Sequence, residues 1–321
     1  MVQPKSSGTV IALSGGVGGA KLALGLSRLD LGDDLLVVAN VGDDFEHLGL
    51  TICPDLDTVT YTLSGLSDQE KGWGRADEGW RFMDSLGQLG GEDWFNLGDR
   101  DLALHIVRTE ALRAGDDLSA ITAAITQRLG IAARIVPMTN DPVRTMVQTR
   151  NGALAFQHYF VRDRCEPVVT GFDFQGMAAA RPQPDFMAAL EQQDLRAIII
   201  TPSNPFVSID PILKLSGVRD ALRRTGAPIV AVSPIVAGLA IKGPAAKMMA
   251  ELGMPSTALA VAEHYRDLLD GFVLDHGDRD QADAVAALGP IPLVTKTVME
   301  SLEDRENLAR DVLAFAEELA G

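Results

Sequence analysis

Cysteine is nearly absent from this 321-residue chain: Cys53 and Cys165 are the only two, without the paired spacing of a metal site. That excludes a disulfide scaffold and suits a reducing compartment. Basic charge is also short. The 28 Lys and Arg stand against 44 Asp and Glu, a formal net charge of −16, so no nucleic-acid partner held through its phosphate backbone is expected. Long apolar runs are missing as well. LLVV, AIII and IVAVSPIVAGLAI are too short or too broken to cross a bilayer, and no signal-peptide core precedes the first strand-like run. The expectation is a soluble cytoplasmic protein without a membrane partner. Neither an internal repeat nor a low-complexity linker is present. What remains is a globular composition, 46% hydrophobic and 22% charged, long enough for one large domain or two modest ones.

The opening unit is legible. TVIAL (9–13), a glycine turn, an apolar-periodic helix through Leu22, Leu24, Leu26 and Leu29, and LLVVA (35–39) read as a βαβ unit of a parallel sheet covered on both faces. Residues 56–130 read as mostly helical, with Asp99 as a helix cap and Gly115 as a stop. ARIVPMT and VRTMVQT-RNG-ALAFQHYFV then turn β-rich, with Asn151–Gly152 as the hairpin signal. Alternation resumes with RAIIIT (196–201), a helix near 210–224, PIVAVSP (228–234), two further helices, GFVLD (271–275), PLVTK and a last helix. The expected fold is a Rossmann-like, doubly wound α/β sheet built from residues 1–55 and 165–321, with a helical and hairpin insertion over 56–164.

SGGVGGAK (14–21) sits between strand and helix, where glycines let several amides point at an anion beside the helix's positive end. A Walker A loop fails, because Ala20 precedes Lys21 and Leu22 follows it. A dinucleotide fingerprint is weak, because the second strand ends on Asn40 rather than an acid. Gly15, Gly16, Gly18 and Gly19 therefore read as a phosphate loop of neither standard kind. Simple tight packing of helix on sheet is the bland alternative.

Asp43, Asp44, Asp55 and Asp57 fall within fifteen residues just after the second strand. Oxygen ligands at the edge that bears a phosphate loop suit Mg²⁺. The bland alternative is acids at a helix start that Pro54 opens, and Asp55 in particular reads as a cap. On the helix of WFNLGDRDLALHIVRT (94–109), Asp101, His105, Arg108 and Thr109 share a face, which alone could be a surface ion-pair ladder. TPSNP (201–205) offers Ser203 and Asn204 at a strand end, and VSPIVAGLAIKGP (232–244) offers Ser233 and Lys242. Each could be a turn and no more. Their convergence on one sheet edge is the stronger signal.

LSGGVGGAKLALGL, NVGDD, CPDLDTV, WF-LGDRDLA-HIVRT, FQHYFV, PSNP-VSI-PIL and VAVSPI-AG-AIKGPA resemble, in order, the 2-phospho-L-lactate transferase family (CofD/FbiA) over residues 10–275. The resemblance implies synthesis of coenzyme F-420. A phospholactyl or phosphoenolpyruvyl group would pass from a guanosine diphosphate-linked donor to the ribitol hydroxyl of the deazaflavin FO (7,8-didemethyl-8-hydroxy-5-deazariboflavin), GMP leaving, with Mg²⁺ as cofactor in a homodimer. GWGRADEGW looks more like the actinobacterial branch, which implies an enolpyruvyl donor. On this reading Gly15, Gly16, Gly18, Gly19, Ser203, Asn204 and Lys242 hold the nucleotide and its phosphates. Asp43, Asp44 and Asp57 bind the metal and serve catalysis, and Asp57, Arg100, His105 and Arg108 face FO. YvcK-like regulators, which bind nucleotide sugars without catalysis, share the loop and the acidic strand end but not the PDLD, LGDRD or FQHYF motifs.

Overall fold

The computed structural model describes residues 8–68, 73–241 and 243–321. Strand β1 (Val10–Ser14), helix α1 (Gly16–Ser27) and strand β2 (Leu35–Ala39) form the expected opening unit. A hairpin of β3 (Phe45–His47) and β4 (Leu50–Ile52) follows, then helices α2 (Pro54–Leu63), α3 (Arg81–Gln88), α4 (Asp101–Ala114) and α5 (Leu118–Arg128). The chain continues through β5 (Arg134–Pro137), β6 (Arg144–Thr149), β7 (Gly152–Ala155), β8 (Val169–Gln175), α6 (Pro184–Leu190) and β9 (Ala197–Ile200). Next come α7 (Asp210–Leu213), α8 (Val218–Arg224), β10 (Ile229–Val232), the small hairpin β11 (Ile235–Val236) and β12 (Leu239–Ala240), and α9 (Ala245–Glu251). Helix α10 (Ala258–Tyr265), β13 (Gly271–Asp275), α11 (Ala282–Ala287), β14 (Ile291–Thr295) and α12 (Leu302–Ala320) close it.

Seven strands form one parallel sheet in the order β14-β13-β10-β9-β1-β2-β5. From β1 the chain winds out through β2 to β5, then restarts on the other side at β9, so the winding reverses between β1 and β9. Ligands of such sheets bind in the crevice at that reversal. Every residue of β1, β2, β9 and β10 is buried, which is why these strands, apart from the closing Ser14 of β1, are unbroken apolar runs. Each buried Val, Leu or Ile contributes roughly 1.5–3 kcal/mol. Helices α2 and α12 flank α1 along the sheet.

The doubly wound fold is as expected, but some boundaries differ. Strand β5 pairs with β2 in the main sheet, although residues 134–137 fall inside the stretch expected as an insertion. The β3–β4 hairpin was not expected. Its turn places Leu48 at φ 52° and Gly49 at φ 72°, and a leucine in the left-handed region is a poor sequence signal. In the β6–β7 hairpin Thr149 faces Gly152, so Arg150 and Asn151 form the turn, one residue earlier than Asn151–Gly152 suggested. The strand expected through FQHYFV stops at Ala155 and coils into a π-helical turn over His158–Arg162. The helix expected near 210–224 is likewise broken: a π-helical turn over Pro205–Ile209 leads into α7, and Gly217 (φ 82°) separates α7 from α8.

Two caps are exchanged. Asp99 does not cap α4; its carboxylate accepts from the Arg81 and Phe82 amides (3.3 and 3.0 Å) at the start of α3. Glu78 caps α4, accepting from the Arg100 and Asp101 amides (2.7 and 2.8 Å). Each acid satisfies orphan amides of the other's helix, which ties α3, α4 and the loop between them into one unit. A satellite core of Ile52, Met83 and Leu97, flanked by Phe45, Trp80 and Phe95, fills the space beneath.

Candidate active site

At the winding reversal, α1 begins directly after β1. Gly16 takes φ +62°, and a Cβ on Gly18 would lie 2.3 Å from the Pro202 carbonyl oxygen beyond β9, so both positions require glycine. Ser203 braces the loop. Its hydroxyl donates to the Gly15 carbonyl (2.8 Å) and accepts from the Gly15 amide (3.2 Å). The first-turn amides of α1 therefore meet the crevice at a helix's positive end. Asn204 caps the π-helical turn by accepting from the Phe206 amide (3.0 Å), and its side-chain amide meets only the weak acceptor Met248 Sδ (3.4 Å).

Asn40 organises the carboxylates. Its side-chain amide donates to Asp43 (2.5 Å) and Asp55 (2.9 Å), and its oxygen accepts from the Gly42 amide (2.8 Å). Asp55 also accepts from the Gly16 amide (2.6 Å), so it serves the phosphate loop rather than its own helix α2. Asp43, Asp44 and Asp55 are all buried. Burial raises Asp43 well above the usual carboxylate range, with the charges of Asp55 and Asp44 adding to it. Burial also pushes Asp44 up to about 7 and Asp55 up to about 6. Asp44 Oδ1 has no hydrogen-bond partner. Crowded, desolvated carboxylates with an orphaned oxygen are the donor set that a hard divalent cation would neutralise.

Asp57 is compensated differently. Both its carboxylate oxygens are held by the buried Arg108 guanidinium, one at 3.1 Å and the other closer. Arg108 also lies 3.4 Å from His105 Nδ1, whose other nitrogen is 3.2 Å from Asp101 Oδ2. Tyr61 donates its hydroxyl to Asp101 Oδ1 (2.5 Å). Burial works against the Asp101 charge, but His105 and Tyr61 keep its carboxyl below the ordinary range. The face of α4 that alone could be a surface ladder is thus interior, with His105, Arg108 and Thr109 all buried. Asp57, Asp101 and His105 bring one ligand atom each within 4.8 Å of one another. A cation there would meet the Arg108 charge, so the uncompensated Asp43–Asp55 pair is the better metal locus.

One cavity of about 540 Å³ unites these groups. At one end are Gly15, Gly16, Gly18, Asp43, Asp55, Ser203 and Asn204; Asp57, Tyr61, Asp101 and His105 also face it, and Trp73, Trp80, Phe95, Phe156 and Phe160 supply aromatic walls. Phe156 and Phe160 stack at 5.5 Å, their rings 8° apart, because the π-helical turn aligns them. Among the expected residues, Gly19, Asp44 and Arg108 stand behind the cavity wall, and Arg100 does not line it. Its guanidinium is 3.9 Å from Asp77. Lys242 lies outside the described residues. Sequence reasoning missed Asn40, noted only as the lack of an acid. It also missed Tyr61, whose polar role depends on Asp101 of α4 lying beside α2.

A doubly wound α/β fold with a glycine loop at its winding reversal, buried acids beside it and aromatic walls in the same cavity defines the class of the protein. Comparison with known proteins makes this particular. The model of the family described as 2-phospho-L-lactate transferase CofD matches residues 10–306, and the chain belongs to that family. The chain is 42% identical over 316 residues to the phosphoenolpyruvate transferase of Streptomyces coelicolor, covering 97% of this chain and 98% of that protein. It is 38% identical over 304 residues to the 2-phospho-L-lactate transferase of Methanosarcina mazei, covering 95% and 99%. The crystal structure of a UPF0052 family member from Bacillus halodurans shares the fold, with a TM-score of 0.65 and 15% identity over 96% of this chain and 99% of that one. No helix among the described residues is long and apolar enough to cross a membrane.

Proposed function

We propose that the protein transfers a phosphoenolpyruvyl group from a guanosine diphosphate-linked donor to the primary ribitol hydroxyl of the deazaflavin FO, releasing GMP. The observation that carries this reading is the single cavity joining a glycine-and-acid end to aromatic walls. The first suits a diphosphate; the second suits a flat tricyclic ring. The enolpyruvyl unit is chosen over lactyl because the Streptomyces relatives at 40–42% identity are named phosphoenolpyruvate transferases. The fold alone does not separate the enzyme from a nucleotide-sugar-binding regulator, but the family match across residues 10–306 favours the enzyme.

On this reading the first-turn amides of α1 beyond Gly16, whose own amide goes to Asp55, and the Asn204 side chain hold the diphosphate. Asp43 and Asp55, fixed by Asn40, would hold Mg²⁺, with Asp44 behind them. When bound, that ion supplies charge neutralisation for the diphosphate and the departing GMP. The acceptor hydroxyl forms the new P–O bond as the bond to GMP breaks, and its proton goes to a nearby carboxylate or to water. Positioning dominates such reactions. The Asp57–Arg108 pair and the Tyr61–Asp101–His105 chain give the acceptor's side of the cavity a rigid polar floor.

The test is incubation with FO, Mg²⁺ and the enolpyruvyl donor, followed by chromatography and mass spectrometry. Equal formation of GMP and of the phosphoenolpyruvyl-FO adduct is expected. Absence of both, with a nucleotide sugar bound instead, sinks the reading in favour of the regulator.

A further inference from the structure

The cavity wall is rich in acids, and among its described residues Lys21 and Arg75 are the only Lys or Arg. Lys21 donates to the Met299 carbonyl (2.8 Å). Arg75 is different. Its Nε is buried without a hydrogen-bond partner, and no described carboxylate or carbonyl accepts from its guanidinium. The acids next to it in sequence are engaged elsewhere: Asp77 faces Arg100 at 3.9 Å, and Glu78 caps α4. A half-buried arginine could send its charge to bulk water, but a shielded Nε shows the planar head partly withdrawn from solvent. Buried donors left unmade are costly, on the order of 1–3 kcal/mol each.

The backbone holds Arg75 at the cavity deliberately. Just past the end of α2, an antiparallel bridge joins Ser67 to Arg75, and the Ala76 amide donates to the Leu66 carbonyl (2.7 Å). Gly74, at φ +71°, makes the turn between Trp73 and Arg75. Trp73, Gly74 and Arg75 all line the cavity, so Arg75 stands in the same wall as Trp73.

We propose that Arg75 is a substrate-binding residue whose guanidinium takes a planar oxyanion that enters with the substrates. The inference rests on the transferase reading. Two groups in that reaction carry this chemistry: the carboxylate of the transferred acyl unit, and the ionised ring oxygens of the hydroxy-deazaflavin. Guanidinium matches either, since its fork of N–H donors can engage one or two oxygens of a flat anion. A substrate oxyanion would give the buried Nε the acceptor it lacks among the described residues, which ties substrate choice to this side chain.

The experiment compares Arg75→Gln and Arg75→Lys with the unaltered full-length chain, titrating FO, GDP and the enolpyruvyl donor separately and then measuring turnover. Arg75→Gln is expected to weaken one substrate by about 10- to 100-fold, the worth of one charge-assisted bond, with Arg75→Lys in between and GDP unaffected. Loss confined to the acyl donor identifies the carboxylate; loss confined to FO identifies the ring oxygen; both support the proposal. Binding of all three ligands within twofold of the unaltered protein overturns it. Equal weakening of GDP and donor also overturns it, because that places Arg75 on the diphosphate. An unaltered protein that binds neither FO nor donor and transfers nothing overturns the transferase reading along with it. Normal turnover with an indifferent Arg75→Gln overturns the role of Arg75 alone. Thermal melting of each variant confirms that it is folded.

Discussion

Asp43, Asp44 and Asp55 are the residues at which burial and charge conflict most sharply. Their folded-state pKa values lie above the unfolded carboxylate value, Asp55 at about 6 and Asp44 at about 7. A raised acid binds its proton more tightly when folded. Its stabilising contribution is complete below the unfolded value near 3.8 and is lost as pH rises through the folded one. The chelated protein should therefore melt at a lower temperature at pH 8 than at pH 5, and Asp44→Asn should shrink that difference. Scanning calorimetry in EDTA checks this, and added Mg²⁺ should recover more of the loss at pH 8 than at pH 5. Asp43→Asn should leave the protein folded and lower transfer by about 10²–10³-fold, the scale of losing one electrostatic stabiliser. A variant with normal turnover would remove Asp43 from the mechanism. The Asp57–Arg108 pair behaves otherwise. Arg108→Met strands a buried carboxylate and should cost about 3–5 kcal/mol in urea unfolding, whereas the double variant Asp57→Leu/Arg108→Met should recover much of that loss.

Among the elements, the exchanged caps make α3 and α4 interdependent. Glu78→Ala removes two bonds to the start of α4 and should cost about 1 kcal/mol of stability. Because Asp101 opens α4 and holds the Tyr61 hydroxyl, activity should fall further than stability alone explains. Asp99→Ala, which frees α3 instead, should cost similar stability with a smaller loss of turnover. Equal activity losses in the two variants would argue that α4 does not position the acceptor's side of the cavity. The same elements show why motif spacing misled locally. Asp99 has the right residue type just before α4, but its carboxylate reaches α3, and Asp55 in the first turn of α2 reaches the first residue of α1. A cap is recognised in sequence by its neighbours along the chain, yet it bonds whichever orphan amides lie nearest in space.

At the level of the whole molecule, both ends of the cavity are carried by one sheet and its excursions. The glycine loop and Asn204 come from strand ends, while Trp73, Trp80, Phe95 and Phe160 come from segments between β4 and β8. Nucleotide binding to the native state alone should therefore stabilise the entire fold. GDP with Mg²⁺ at a hundred times its dissociation constant should add about 2.7 kcal/mol, measured as a shift of a single unfolding transition. Two separate transitions, of which GDP moves one, would show that the aromatic side unfolds independently of the core.

The chain alone determined the alternating α/β order, the phosphate loop and the positions of the acids, because those rest on short-range rules: apolar runs for buried strands, glycines where helix meets strand, carboxylates after a strand end. It determined the family as well, through the order of its motifs. Only the tertiary structure decided which acids are alike. Asp43 and Asp55 share Asn40 without a counter-charge, whereas Asp57, two residues from Asp55, points at Arg108 from a helix fifty residues on. It also decided that Arg100 stands outside the cavity while Arg75 stands within it. Charge compensation and burial depend on what packs alongside, and spacing along the chain carries no record of that.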